Sequence, residues 1–406
     1  MLPEFAPVLQ AVTTDRIGDI ASHIREELRA SGALQSIRPG MRVAIGVGSR
    51  GISGIREITV AVIESLQQLG AQPFLVPAMG SHGGGTAEGQ RQVLVGFGLG
   101  SERTGVPILS DVDPVQIGMT GGGVPVFFDA PAAKSDAIVA INRIKPHTAF
   151  RNRWESGILK MLSVGFGKAR GAAVIHGAGL RDTIPQVASV VLSVLPVVLG
   201  IGIVENGMHE PAIVRAIPAP CIEQEEAALL EQAWRHFPRI PLEPLDLLVL
   251  REIGKDISGT GMDVNVVGFW RRAGGPVCPA FRTLAALDLT DASRGNAIGV
   301  GYADIITQRL RDKINVADTY ANCVAARNYS AAKIPMAVPT DRAAMEVTLP
   351  REAHEARIVL AANTRDLARL WVSEALVAEV RSTPGLTLTG RLAPLEFDSE
   401  GRLRLA

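Results

Sequence analysis

Two α/β domains are what this sequence predicts, on three observations. Short apolar runs end in glycine-containing loops and alternate with segments of helical spacing, the pattern of buried parallel strands joined by crossover helices. The chain has 406 residues, and a single hydrophobic core rarely grows past about 250–300 residues. Its 47% content of AVILMFWYC, with 42 glycines and 25 prolines, suits packed cores with many tight turns rather than a disordered or fibrous chain.

Arg42-Val-Ala-Ile-Gly-Val47 reads as a buried strand feeding the loop Gly48-Ser-Arg-Gly51. Apolar side chains at helical spacing from Ile55 to Leu69, stopped by Gly70, predict a helix. Gln72 to Val76 is a second strand that delivers His82 into the loop Ala-Met-Gly-Ser-His-Gly-Gly-Gly, before a helix from about Thr86 to Val95. A third strand, Ala137-Ile-Val-Ala-Ile-Asn142, runs into Arg143-Ile-Lys-Pro-His147. Val187 to Val204 is uncharged, but Pro196 and Gly200 interrupt it, so a buried helix-then-strand unit is expected there rather than a membrane span. The proline-rich stretch around Ile217-Pro-Ala-Pro220, an acidic helix near Glu223 to Trp234, and Pro238, Pro241 and Pro244 read as an interdomain connection. The expected domains are thus 1–215 and 245–406, joined by 216–244. In the second, Leu245 to Leu250 and Glu346-Val-Thr-Leu349 read as strands, and Tyr302–Arg311 and Thr364–Val380 as helices.

Several functional classes lose support. Lys+Arg and Asp+Glu both number 41, leaving a formal net charge of zero, so a nucleic-acid partner has no electrostatic basis. Cys221, Cys278 and Cys323 are far apart and in no CxxC spacing, which argues against a disulfide framework or a cysteine metal site. A reducing cytoplasm fits best, and the first residues show neither a basic n-region nor a long apolar h-region. Gly46-Val-Gly-Ser-Arg-Gly51 follows a strand yet fails the GxGxxG fingerprint, and the loop at His82 lacks a P-loop ending. No Gly-x-Ser-x-Gly elbow is expected to carry a hydrolase. The glycine loops still have the form of an anion cradle made from backbone N–H groups.

His82, His147 and His176 all lie in or beside glycine-containing or strand-end turns of the first half. In open α/β sheets ligands bind outside the carboxyl ends of the strands, so Arg50, His82 and His147 are expected to converge on one crevice. The alternative reading for each histidine alone is a turn cap or a buried, hydrogen-bonded side chain. For Lys160, in Trp154-Glu-Ser-Gly-Ile-Leu-Lys160, the alternative is a surface helix lysine, which its apolar neighbours Ile158, Leu159, Met161 and Leu162 disfavour.

The ordered set Arg50, His82, His147, Trp154 to Lys160 and Val174-Ile-His-Gly177 resembles the nickel-dependent lactate racemase family, whose members use a nickel-pincer nucleotide. The resemblance is strongest over residues 43 to 207, with a second anchor at Gly254-Lys-Asp-Ile-Ser-Gly-Thr-Gly-Met-Asp263. It implies two α/β domains with the active site in the cleft between them, and a racemase or epimerase of 2-hydroxy acids acting by proton-coupled hydride transfer. Lys160 would hold the cofactor covalently, Lys168 being the rival position, and His176 would be the axial nickel ligand. A square-planar ion needs one protein donor when the cofactor supplies three. His82 and His147 would be the paired acid/base residues, serving opposite faces of the substrate carbon. Arg50 would grip the substrate carboxylate with its planar fork, and Lys255 would add a second contact unless it is a solvent-facing loop lysine. Gly80, Ser81, Gly83, Gly84, Gly85 and Thr86 would seat the nucleotide phosphate. The expected partners are a small 2-hydroxy acid and the enzymes that make the cofactor, with no membrane.

Two departures from the family pattern bear on substrate. Val47 stands where the family often has an acidic residue, and the segment before Lys160 carries Arg151 and Arg153. They leave the substrate open between lactate and a larger or more anionic 2-hydroxy acid such as a sugar acid. Trp154, Trp270 and Trp371 are candidates to stack on a ligand or to pack in the core. The competing functional readings are an oxidoreductase or hydrolase on the same scaffold, and a non-catalytic protein that binds the pincer cofactor.

Overall fold

The computed structural model describes residues 2–49, 51–349 and 352–405. Mixed α/β architecture is what it shows, divided into two compact units: Thr13–Phe237, and Met1–Val12 with Pro238–Ala406. The first strand, β1 (Phe5–Gln10), belongs to the second of these.

The unit Thr13–Phe237 is built on β2 (Arg42–Val47), β3 (Gln72–Pro77), β6 (Ala137–Arg143), β7 (Val197–Glu205) and β8 (Pro211–Pro218), with β4 (Val115–Met119) and β5 (Pro125–Phe128) forming a separate hairpin. The sheet order is β3-β2-β6-β7-β8. All neighbours are parallel except the β7–β8 edge pair. Strand side chains alternate with period two, and both faces are buried. Val43, Ile45, Val47, Leu75, Val139, Ile141 and Ile201 pack under helices Ile20–Ser31 and Ile55–Gln68. Ala44, Phe74, Val76, Ile138 and Ala140 face the segment from Ile158 to Phe166 and helices Leu180–Val194 and Ile222–His236.

This second face is smoothed by glycine. A Cβ at Gly46 would lie 2.1 Å from Phe166 Cζ, one at Gly200 2.6 Å from Ile158 Cδ1, and one at Gly202 2.7 Å from Ile144 Cδ1. The bare backbone lets the chain that carries Lys160 press directly onto the sheet.

Residues 216–237 of the expected connection lie inside this unit, and Pro238 begins the other. Ile217 ends a sheet strand, and Ile222, Leu229, Leu230 and Ala233 are buried on the same face as Phe166. The prolines that read as a linker only bound the helix. The uncharged stretch Val187 to Val204 is the end of helix Leu180–Val194 followed by β7. Among the described residues no helix is long and apolar enough to cross a membrane.

The other unit holds an eight-stranded sheet of β1 with β9 (Leu245–Ile253), β10 (Phe281–Leu289), β11 (Ile305–Thr307), β12 (Met336–Val338), β13 (Ile358–Ala361), β14 (Arg369–Ser373) and β15 (Leu386–Leu388). Its order is β12-β11-β10-β9-β13-β14-β1-β15, and Leu247, Val249, Leu287, Ile358 and Leu360 centre its core. β1 pairs antiparallel with β14 and β15, which is why the first residues of the chain leave the expected N-terminal domain.

Three expected elements are replaced here: of the helix expected over Tyr302–Arg311, Ile305–Thr307 is strand β11 and only Gln308–Asp312 is α-helical. Part of the helix expected over Thr364–Val380 is strand β14, because Leu370 and Val372 alternate into the core and pair with β13 and β1. The strand expected at 346–349 is the last residue of helix Asp341–Glu346 followed by a turn, the helix being nucleated by Thr340, whose side chain accepts from Ala343 N.

Candidate active site

From β2 the chain crosses to β3 on one side, and the later strand β6 adds on the other. The loops after β2 and β6 therefore diverge at the carboxyl edge, which is where an open parallel sheet forms a ligand crevice. Ser49 follows β2, the glycine loop with His82 follows β3, and His147 follows β6.

The loop after β6 closes on itself. Lys145 and Ser156 exchange backbone hydrogen bonds of 3.0 and 3.2 Å, and the buried Glu155 carboxylate accepts from His147 N at 2.5 Å. Burial pushes the Glu155 carboxyl up from its ordinary range, opposed by that N–H and by Arg151. Inside the loop, Ala149 N donates to His147 Nδ1 at 2.9 Å, and the Phe150 ring stacks on the imidazole at 4.5 Å.

Asn142, near the end of β6, donates to Gly157 O at 2.7 Å and so sets the start of the next segment. The turn Ile158–Lys160 continues as a π-helical turn, Met161–Gly165, a local widening often found where a helix must present a functional side chain. Glu226, reaching from helix Ile222–His236, accepts from Leu159 N at 2.9 Å. Its carboxyl is fully buried, and desolvation pushes it up to about 7 against the N–H groups of Leu159 and Ile158. A Cβ at Gly157 would lie 2.3 Å from Glu226 Oε1, so glycine makes room for this cap.

These supports bring Lys160 Nζ to 2.7 Å from His147 Nε2. Because Nδ1 accepts from Ala149, the neutral imidazole carries its proton on Nε2, which faces the lysine.

His82 is exposed, and its Nδ1 meets Ser49 Oγ in a short hydrogen bond. The loop that carries it is anchored by Gly80 N donating to Gly165 O at 3.0 Å, which ties it to the turn following Lys160. Gly80, Gly83, Gly84 and Gly85 all have positive φ, and a Cβ at Gly83 would come within 2.8 Å of Gln90 N. Ser81 is exposed, and Thr86 caps helix Ala87–Gly96 by accepting from Gly89 N. His176, half-buried, lies on helix Lys168–Ala178 one turn beyond Ala172. Ala172 is 3.6 Å from a Cβ built on Gly80, so the helix face that bears His176 is the one turned to the glycine loop.

The remaining expectations fall elsewhere. Arg50 lies outside the described residues. Lys255 belongs to the other unit, where its Nζ donates to Asn322 Oδ1 and its backbone N to Ser293 Oγ at 2.7 Å. Lys168, the rival for Lys160, is 1% exposed and bonded to Pro77 O and Gln90 Oε1, which closes it to a bulky adduct. Trp154 is held by Glu223 O at 2.7 Å, and Trp371 lies within β14. Among the described residues no group of three or more His, Cys, Asp or Glu side chains is arranged to hold a metal.

Sequence reasoning missed Ser49, Glu155, Gln90 and Glu226. Only Ser49 carried a signal, as the residue between a strand-end glycine and Arg50. The others act from positions whose partners are distant in sequence or fixed by a loop closure.

No protein-family profile and no curated protein matches this chain. Its fold is similar to the structure of the lactate racemase apoprotein from Thermoanaerobacterium thermosaccharolyticum, with a TM-score of 0.57 over 88% of this chain and 94% of that one. The two are 11% identical, so the likeness is one of fold.

Proposed function

We propose that this chain is a racemase or epimerase of 2-hydroxy acids that works with a nickel-pincer nucleotide. The observation that carries the reading is the meeting of Lys160 with His147, which follows β6, beside the switch point between β2 and β6 where an open parallel sheet is expected to form a crevice. The residues present fit the group. An amine stands beside an imidazole, a glycine-rich loop precedes a helix N-terminus, and a histidine lies on the neighbouring helix. In this reading Lys160 holds the cofactor, His176 ligates nickel, and Gly80 to Thr86 seat the phosphate. When bound, the group supplies an acceptor and donor of hydride at the substrate carbon.

The rest of the work falls to the protein. His82 and His147 each have Nδ1 engaged, by Ser49 Oγ and by Ala149 N–H. In this reading the two imidazoles exchange a proton with the substrate hydroxyl oxygen, one histidine for each configuration. Arg50 is assigned to the carboxylate, where its planar fork would fix rotation about the reacting carbon. Closure of the His147 loop by Glu155 holds that ring in place while the flat 2-keto species turns.

The test is the fate of a deuterium placed on C2 of a panel of 2-hydroxy acids, with protein from cells that make the cofactor. The reading predicts that one member of the panel loses its stereochemical purity and keeps the label. Washout of the label into solvent during inversion would replace hydride return by carbanion chemistry. No inversion by protein that carries the cofactor would leave a binding protein instead.

A further inference from the structure

We propose that Gln90, oriented by Lys168, is a positioning residue that fixes the His82 loop; the functional consequence rests on the reading of His82 as a proton-handling residue. Lys168 Nζ donates to Pro77 O at 2.7 Å and to Gln90 Oε1 at 3.1 Å, and lies 3.0 Å from Asp129 Oδ2 in an ion-pair contact. Lys168, Gln90 and Asp129 are 1%, 1% and 0% exposed. Burial pushes the lysine down and the aspartate up, each opposed by the other's charge.

The direction of the hydrogen bonds carries the argument. An ammonium offers donors only, so Gln90 must turn its carbonyl oxygen toward Lys168. Its amide nitrogen then faces the glycine loop, where it donates to Gly80 O at 2.8 Å and to His82 O at 3.3 Å. One cation thus ties the last residue of β3 to the amide that holds the carbonyls on either side of Ser81. The loop's glycines offer no side chains of their own to restrain it, and Gly83 packs against Gln90 N. Lys168 adopts a left-handed φ of 55°, a conformation unfavourable for a non-glycine residue.

Gln90→Glu keeps the size and the oxygen facing Lys168, but sets a carboxylate oxygen against two carbonyls. Gln90→Met removes both polar atoms and guards against a failure of the first variant to fold. The readouts, taken on cofactor-free protein, are amide hydrogen exchange over residues 79–86 and the histidine ring NMR signals, with His82 assigned from the spectrum of His82→Asn. Loss of one or two hydrogen bonds predicts roughly tenfold faster exchange in the loop. The His82 ring signals move, and those of His147 stay. Loop exchange and His82 signals unchanged from wild type in a folded Gln90 variant would overturn the proposal. Neither readout needs turnover, so an inactive protein with a loosened loop would refute the functional reading and leave the positioning role standing.

Discussion

Gly46→Ala tests how the chain that bears Lys160 is seated. The new methyl would lie 2.1 Å from Phe166 Cζ and 2.6 Å from Cε2, the first about 1.4 Å or more short of ordinary van der Waals contact. Backbone retreat is blocked, because β2 is hydrogen-bonded on both sides, with Gly46 opposite Val76 and Ala140. The ring has little room either, since Phe166 is fully buried and stacked on Phe128 at 4.6 Å. Overpacking of this kind costs about 1–3 kcal/mol, and with the contact this short the upper half of that range is expected. For a unit of this size each kcal/mol lowers Tm by about 2–4 °C, so thermal unfolding should shift down by roughly 4–12 °C. Gly46→Ala/Phe166→Leu should recover much of the loss, because the smaller side chain vacates the position the methyl needs. An unchanged Tm in the single variant, or strict additivity in the double, would show that Gly46 is not what admits Phe166.

Two further outcomes follow from the same segment. Glu226 has an ordinary carboxyl value of 4.5 and is raised to about 7 in the fold, so between those values the folded state binds more protons than the unfolded one and stability falls as pH rises. Urea titrations from pH 4.5 to 7.5 should show a decline of up to about 3 kcal/mol from this group, and Glu226→Gln should remove that component of the slope; an identical slope in the variant would contradict the assignment. If Lys160 is the modified residue, with its Nζ 2.7 Å from His147 Nε2, it should be acylated by trace acetic anhydride at neutral pH several-fold faster than the exposed Lys134. Peptide mass spectrometry reads the ratio, and equal rates, or no effect of His147→Gln, would refute it.

The strands and crossover helices of the first unit were legible because their burial follows simple periods. Ile55–Gln68 and Ala137–Arg143 appear within a residue or two of where spacing puts them. Proline misled at Ile217 to Pro220, which bounds a buried helix of the first unit, while Pro238, Pro241 and Pro244 lie where the second unit begins. Leu370 and Val372 misled in another way, since a short apolar run satisfies both helical and alternating templates and only pairing with β1 decides it. No local pattern announces that pairing, which joins the first residues of the chain to nearly the last. At the candidate site, histidines at strand ends were visible as types in loops, and the meeting of His147 with Lys160 was expected only through the family resemblance. The groups that hold them in place were invisible. Glu226 looks like one more acid on an acidic helix, and Lys168 looks like a second candidate for modification until its burial and its acceptors are seen.

The most direct measurement is the mass of the intact protein, with peptide mapping and nickel analysis, after production alongside the cofactor-making enzymes. The account predicts a single adduct on Lys160 with about one nickel per chain, absent from Lys160→Ala and retained by His82→Ala and His147→Ala, which lose stereochemical exchange. An adduct that persists in Lys160→Ala, or nickel bound without any adduct, would contradict it.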